Sequence, residues 1–316
     1  MPHVIVKGLR IEYLDTGERE RPAILLIMGL GMQLTAWPEA FCSGLAERGF
    51  RLVRFDNRDV GLSTKIRKPG AVALAAVFAR ALAGVPPYSL HDMAGDALGL
   101  MDALGIEQAH IVGLSMGGMI GQIIAAEQPA RALSLTSIMS SSGDPRLPRG
   151  DPRIMRELMR PRQAGNRERA VRQAMEFYRL IGSPGFPTNE PELRAKVERS
   201  IDRCYYPMGF AHHMLAIMAC GSRVDLLRRI RAPSLVVHGT DDPLVPLAAG
   251  QHTAAHIPGA ELKVIRGMGH DLPPGVVPIL VAAIADHCRR ALERLDEAGD
   301  PVPRAPCRSS AFPTAS

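Results

Sequence analysis

The segment Gly113-Leu114-Ser115-Met116-Gly117-Gly118 sets one serine between glycines two residues before and two after it. An apolar run, Ala109-His110-Ile111-Val112, precedes it, and a stretch with helical character, Met119 to Ala126, follows. Strand, sharp turn and helix with a hydroxyl at the apex present a nucleophile. The turn residue takes a strained backbone conformation, and the flanking glycines leave it room. The helix N-terminus behind it offers free N–H groups and a positive dipole end to an oxyanion. Ser115 is the candidate nucleophile, and the N–H of Met116 is a candidate oxyanion donor.

A serine hydroxyl needs an imidazole to take its proton, and the imidazole needs a carboxylate to hold it. Of ten histidines, His270 lies in a glycine-flanked loop, Gly267-Met268-Gly269-His270-Asp271, just after the strand-like run Glu261 to Ile265. His238, at the end of the apolar run Ser234 to His238, is its rival. His91, His110, His252, His256 and His287 fall in predicted helices or strands, where packing or solvation accounts for them. The turn after His238, Gly239-Thr240-Asp241-Asp242-Pro243, offers two carboxylates, Asp241 and Asp242.

These residues need a scaffold, and the chain supplies one by alternation. Val4–Val6 and Leu9–Tyr13 alternate like a hairpin. Ala23 to Met28 is a continuous apolar run, the mark of a strand buried on both faces, and Arg51 to Phe55 is a second. Helical spacing covers Trp37 to Arg48, and Ser89 caps a helix running to Leu104. Arg131 to Met139 reads as a strand. Alternating strands and helices predict a parallel, doubly wound sheet. From about Gly143 to Arg231 the chain turns helical and rich in Arg, Met and Pro. Strands then resume at Ser234–His238 and Glu261–Ile265, with helices at Leu247–His256 and Val276–Leu295. The expected organisation is a core of residues 1–142 and 231–296, a helical cap of residues 143–230 and a flexible, proline-rich tail of residues 297–316.

In chain order, Met28-Gly29-Leu30-Gly31, Asp56-Asn57-Arg58-Asp59-Val60-Gly61-Leu62-Ser63, the serine turn, the acid loop and the histidine loop resemble motifs of the α/β-hydrolase superfamily. The resemblance spans Val4 to Leu295. It implies the α/β-hydrolase fold, a mostly parallel doubly wound sheet with an inserted all-helical cap. It implies the chain order nucleophile, acid, histidine, which selects His270 over His238. The family's G-x-x-D-x-x-V-P register selects Asp242 and leaves Asp241 as a turn former. It implies a second oxyanion N–H in the loop after Ala23–Met28, assigned to Leu30 with Gly29 as rival. Met28 stands where many members carry histidine, a departure that a backbone donor tolerates. Asp56 and Arg58 are expected to bond loops near the site. More narrowly, Met28-Gly29, Arg58 to Thr64 and Gly267 to His270 followed by Leu272-Pro273 are similar to the aclacinomycin methylesterase group of cap-bearing serine esterases. That likeness implies a serine carboxylesterase with a small-molecule ester substrate and no metal or organic cofactor. Gly29, His213 and Met214 are the candidate substrate contacts.

Composition narrows the classes. At 46% hydrophobic and 22% charged residues, the chain is that of a soluble enzyme. Its net charge of +6 comes from arginines interleaved with acids, without a basic run or nucleic-acid motif. Neither nucleic acid nor a membrane is expected as partner; a homodimer is compatible with the sequence. Five scattered cysteines fit a reducing cytosol better than a disulfide framework. The apolar segment Ala71 to Leu82 either lines an acyl pocket or packs on the cap. A lactonase, perhydrolase, acyltransferase or C–C bond hydrolase would use the same three residues, and a non-catalytic binding protein would share the scaffold. The serine argues against dehalogenases and epoxide hydrolases, which need aspartate there.

Overall fold

A hairpin opens the chain, β1 (His3–Val6) and β2 (Leu9–Asp15). It turns on Lys7 and Gly8, which hold φ of +48° and +80°, as a two-residue hairpin loop requires. The computed structural model describes residues 2–66, 86–160, 162 and 165–298. The Ala71–Leu82 segment, Cys307 and nearly all of the expected tail lie outside these.

Six further strands complete one sheet: β3 (Ala23–Ile27), β4 (Arg51–Phe55), β5 (Ala109–Leu114), β6 (Ala132–Ile138), β7 (Ser234–Gly239) and β8 (Glu261–Ile265). The order is β1-β2-β4-β3-β5-β6-β7-β8. The hairpin strand β2 runs antiparallel to β4, and every later pairing is parallel. Chain order reverses beside β3, between β4 and β5, and such a switch point opens a crevice at the carboxyl ends of the strands.

The apolar runs serve both faces. In β3, Leu25 and Ile27 join Ile111, Leu135 and Val236 on one face. Ile24 and Leu26 join Leu52, Val112 and Val237 on the other. The first face is covered by α2 (Leu90–Ala103) and α3 (Met116–Glu127), the second by α1 (Glu39–Ala46) and α10 (Val277–Ala298). Ser89 caps α2 in a reciprocal box with Asp92. The helix expected from Trp37 begins instead at Glu39. Trp37 precedes Pro38 and is held extended at φ −63°, ψ 120°, as a proline imposes on its predecessor; a short 3₁₀ turn, Leu34–Ala36, comes before it.

Between β6 and β7 the chain makes only helices among the described residues: α4 (Pro152–Leu158), α5 (Arg167–Ile181), α6 (Glu190–Arg203), α7 (Pro207–Cys220) and α8 (Val224–Leu227). Asp151, Asn166 and Asn189 cap the first three through side-chain oxygens. Val171 and Met175 of α5 bury against Val197 of α6 in a small core of their own. The return to the sheet is pinned by buried Arg223, which donates to Gln122 Oε1 (3.1 Å) and the Ser141 carbonyl (2.7 Å). After β7 comes α9 (Leu247–His256). No helix among the described residues is long and apolar enough to cross a membrane.

Candidate active site

Ser115 stands at the carboxyl end of β5, immediately before α3, with φ +54° and ψ −116°. Left-handed backbone at a non-glycine residue is strained and persists only where its surroundings enforce it. Here they do. The Ser115 N–H donates to the Ile138 carbonyl (2.8 Å), and the Ser140 hydroxyl donates to the Ser115 carbonyl (2.8 Å). The flanking glycines have steric reasons. A Cβ on Gly113 would lie 2.1 Å from the Gly117 carbonyl oxygen, and one on Gly117 would lie 2.0 Å from that of Ile27. The turn closes only because both are bare.

His270 Nε2 lies 3.1 Å from Ser115 Oγ, and His270 Nδ1 lies 2.6 Å from Asp242 Oδ2. The other carboxylate oxygen, Oδ1, accepts the N–H groups of Leu244 (3.0 Å) and Val245 (2.8 Å). Burial pushes the Asp242 carboxyl up in pKa. The adjacent imidazoles of His270 and His238 and the Val245 N–H outweigh that and hold it well below the usual range. An ionised acceptor fixes the tautomer: Nδ1–H donates to Asp242, and Nε2 is left to accept from the Ser115 hydroxyl.

Glycines again explain the histidine loop. A Cβ on Gly269 would lie 2.5 Å from the Gly182 carbonyl oxygen, and one on Gly267 would lie 2.8 Å from Gly185 Cα. The chain following α5 rests on them. The His270 N–H donates to the carbonyl of Ile181 (2.7 Å), the last residue of α5. Ser183 Oγ accepts from the Gly269 N–H (2.8 Å) and donates to Asp271 Oδ1 (2.5 Å).

The rivals are placed elsewhere. Asp241 accepts from the Gly267 N–H (3.0 Å) and the Thr240 hydroxyl, closing the turn. His238 donates from Nε2 to the Val245 carbonyl (2.7 Å), and a Cβ on Gly250 would lie 2.4 Å from its Nδ1. It supports the acid loop from beneath and lies 3.5 Å from Asp242 Oδ2.

Across from the serine runs the turn after β3. A Cβ on Gly29 would lie 3.2 Å from the Leu114 carbonyl oxygen and 3.3 Å from Ser115 Cβ. Among the described residues the N–H groups of Leu30 and Met116 have no acceptor. Two donors next to a hydroxyl and without partners can receive an oxyanion. Asn57 anchors the turn through Nδ2 to the Met28 carbonyl (3.1 Å), and Asp56 Oδ1 accepts the Leu34 N–H (2.8 Å). Arg58 forms two 2.6 Å bonds with buried Asp96. Asp56 and Arg58 thus hold loops near the site, and Asp56 also pairs with Arg203 of α6 at 2.8 Å.

A cavity of about 260 Å³ opens over Ser115 and His270, walled by the Met28–Gln33 turn and by side chains of α5 to α7. Gly29 lines it; His213 and Met214 do not. His213 is fully buried, donating from Nε2 to the Arg58 carbonyl (2.8 Å) and accepting the Gly31 N–H at Nδ1 (3.2 Å). Burial pushes its pKa down to about 4, so the ring is neutral. Met214 is 9% exposed and turned into the interior. His213 stands on the side of α7 that packs on the core, whereas Met214 shares the face of Pro207 and Phe210 but lies a turn further along, past the cavity those two line. Sequence reasoning did not single out His213 as a support of the turn after β3. Nor did it find Ser140, Asn57 or the cavity-facing Phe210 and Arg162; their partners are distant in sequence and leave no local signature.

A family model described as the alpha/beta hydrolase fold matches residues 22–273, and the chain belongs to that family of hydrolases. Among its relatives is the rhodomycin D methylesterase DauP of Streptomyces sp. (strain C5), 31% identical over 87% of this chain and 93% of that protein. A thermophilic esterase from Thermogutta terrifontis superposes with a TM-score of 0.67 at 26% identity, over 92% of this chain and 99% of its own. The enol-lactonase from Burkholderia xenovorans LB400 shares the fold, with a TM-score of 0.69 at 22% identity over 91% and 100%.

Proposed function

We propose that this chain is a serine carboxylic ester hydrolase acting through an acyl-enzyme. Ser115 Oγ attacks the ester carbonyl while His270 Nε2 takes its proton. Asp242 holds Nδ1–H and stabilises the imidazolium that forms. The N–H groups of Leu30 and Met116 bind the tetrahedral oxyanion. The C–O bond then breaks, and His270 returns the proton to the departing alcohol. Water, deprotonated by the same Nε2, cleaves the acyl-serine and releases the acid. The helices between β6 and β7 act as a cap that keeps bulk water from the acyl-enzyme.

One observation carries this reading: a strained serine hydroxyl 3.1 Å from an imidazole that is itself 2.6 Å from a buried carboxylate. The likeness to a methylesterase at 31% identity and to an esterase at 26% supports esters as the substrate. Turnover of p-nitrophenyl butyrate tests it. Ser115→Ala is expected to lower kcat by about 10⁴-fold or more with an unchanged melting curve, and activity within tenfold of wild type ends the proposal.

A further inference from the structure

The cavity over Ser115 is unbalanced in charge. Besides His270 its walls carry three basic side chains, Arg162, Lys196 and Arg199, against one carboxylate, Asp271. That carboxylate is occupied by the Ser183 hydroxyl, and burial pushes its pKa up.

Arg162 lies between α4 and α5. Its guanidinium carbon sits 3.6 Å from the centre of the Phe210 ring and 5.9 Å from that of Phe177. A guanidinium stacked on a ring keeps its N–H edge free in the plane, the edge that meets a carboxylate with two parallel bonds. Among the described residues that edge has no hydrogen bond and no ion pair, and Nε is shielded from solvent without a partner. The one carboxylate whose charge reaches it, Glu157, is engaged by Arg160 (3.3 Å) and Gln173 (3.4 Å). Lys196 lies 5.8 Å from the Tyr178 ring and makes no close ion pair among the described residues, though the charge of Asp271 reaches it. Burial pulls the pKa of both cations down. A shielded cation without a counter-ion is costly to keep, and Arg162 has none of its own, while Lys196 has only the shared charge of Asp271, so the cavity calls for an anion from outside.

Phe210 ties this charge to the reacting centre. A Cβ on Gly31 would lie 2.6 Å from Phe210 Cδ2. The ring therefore rests on the turn that carries the Leu30 N–H, and Arg162 stacks on that same ring. We propose that the cavity selects esters bearing a free carboxylate, of which the half-ester of a dicarboxylic acid is the simplest, with Arg162 taking the carboxylate and Lys196 adding a second positive charge. This deepens the ester-hydrolase reading and rests on it.

The test pairs p-nitrophenyl half-esters of succinate, glutarate and adipate with neutral p-nitrophenyl alkanoates of matched length. Wild-type kcat/KM favours the half-ester of at least one length, and the preference falls as salt is raised. Arg162→Gln lowers the half-ester-to-neutral ratio about ten- to a hundredfold, and Arg162→Lys recovers part of it. Calorimetry with free adipate reads the subsite without any reaction: Ser115→Ala binds it, and Ser115→Ala with Arg162→Gln does not. A ratio below one at every length in wild type, or one that Arg162→Gln leaves in place, overturns the cationic subsite even where Ser115 turns over neutral esters. Adipate held through Arg162 by a protein that cleaves no ester overturns the esterase reading instead and leaves the subsite standing.

Discussion

Replacing Asp242 by asparagine changes one oxygen to an NH2 and little else, and the structure determines which way the amide must lie. Oδ1 accepts two backbone N–H groups, from Leu244 at 3.0 Å and Val245 at 2.8 Å. Turning the NH2 towards them would lose both bonds and set donor against donor, at about 1–3 kcal/mol for each buried N–H left unpaired. The amide oxygen therefore keeps that position, and the NH2 faces His270 Nδ1 across the present 2.6 Å contact. A donor there forces Nδ1 to accept, so the ring proton moves to Nε2, the nitrogen that takes the proton of Ser115 in the proposed mechanism. The expected loss is about 10⁴-fold in kcat, near 5 kcal/mol of transition-state stabilisation. Steady-state hydrolysis of p-nitrophenyl butyrate reads kcat, and a fluorophosphonate probe reads nucleophilicity directly, with labelling slowed in parallel. A variant within tenfold of wild type in both would refute the assignment of Asp242 and reopen the case for Asp241.

Two further changes test the supports of the site. Gly29→Ala puts a methyl 3.2 Å from the Leu114 carbonyl oxygen and 3.3 Å from Ser115 Cβ; kcat is expected to fall at least about tenfold while thermal unfolding stays within a few degrees, and an unchanged kcat would show that the turn has room to yield. His213→Leu leaves the Gly31 N–H and the Arg58 carbonyl unpaired in the interior, a loss of about 2–4 kcal/mol that urea unfolding would register. The same ring gives a pH signature. With its pKa lowered from 6.5 to about 4, folded His213 binds its proton less readily than the unfolded chain. Its contribution is complete above pH 6.5 and is lost as pH falls towards 4, about 3 kcal/mol in all. Stability of His213→Leu, measured across that window, should decline less steeply than that of wild type.

Much of this architecture was legible because it is written in local patterns. The β3 run is apolar without alternation because both its faces are covered, and the serine turn declares itself through glycines that steric contact makes obligatory. His270 stands out for the same reason: its neighbours Gly267 and Gly269 are small because the chain after α5 lies on them. What stayed hidden depends on which side of a helix meets the cavity. His213 and Met214 both lie in the inserted helices, yet α7 turns His213 to the core and sets Met214 a turn past the cavity, offering Phe210 instead. Periodicity tells that a helix has two faces, but a helix packed on both sides gives no sign of which one looks at a ligand. Arg162 and Ser140 are a harder case, since each acquires meaning only from a ring or a carbonyl far away in the chain.

The bond from the His270 N–H to Ile181 makes the inserted helices more than a roof. The loop that bears His270 is tied to the last residue of α5, so the wall of the cavity and the imidazole beside Ser115 share one anchor. Under the proposed mechanism the roof and the base would be hinged on the same pin, so a change that loosens the end of α5 would be felt at Ser115 without touching it.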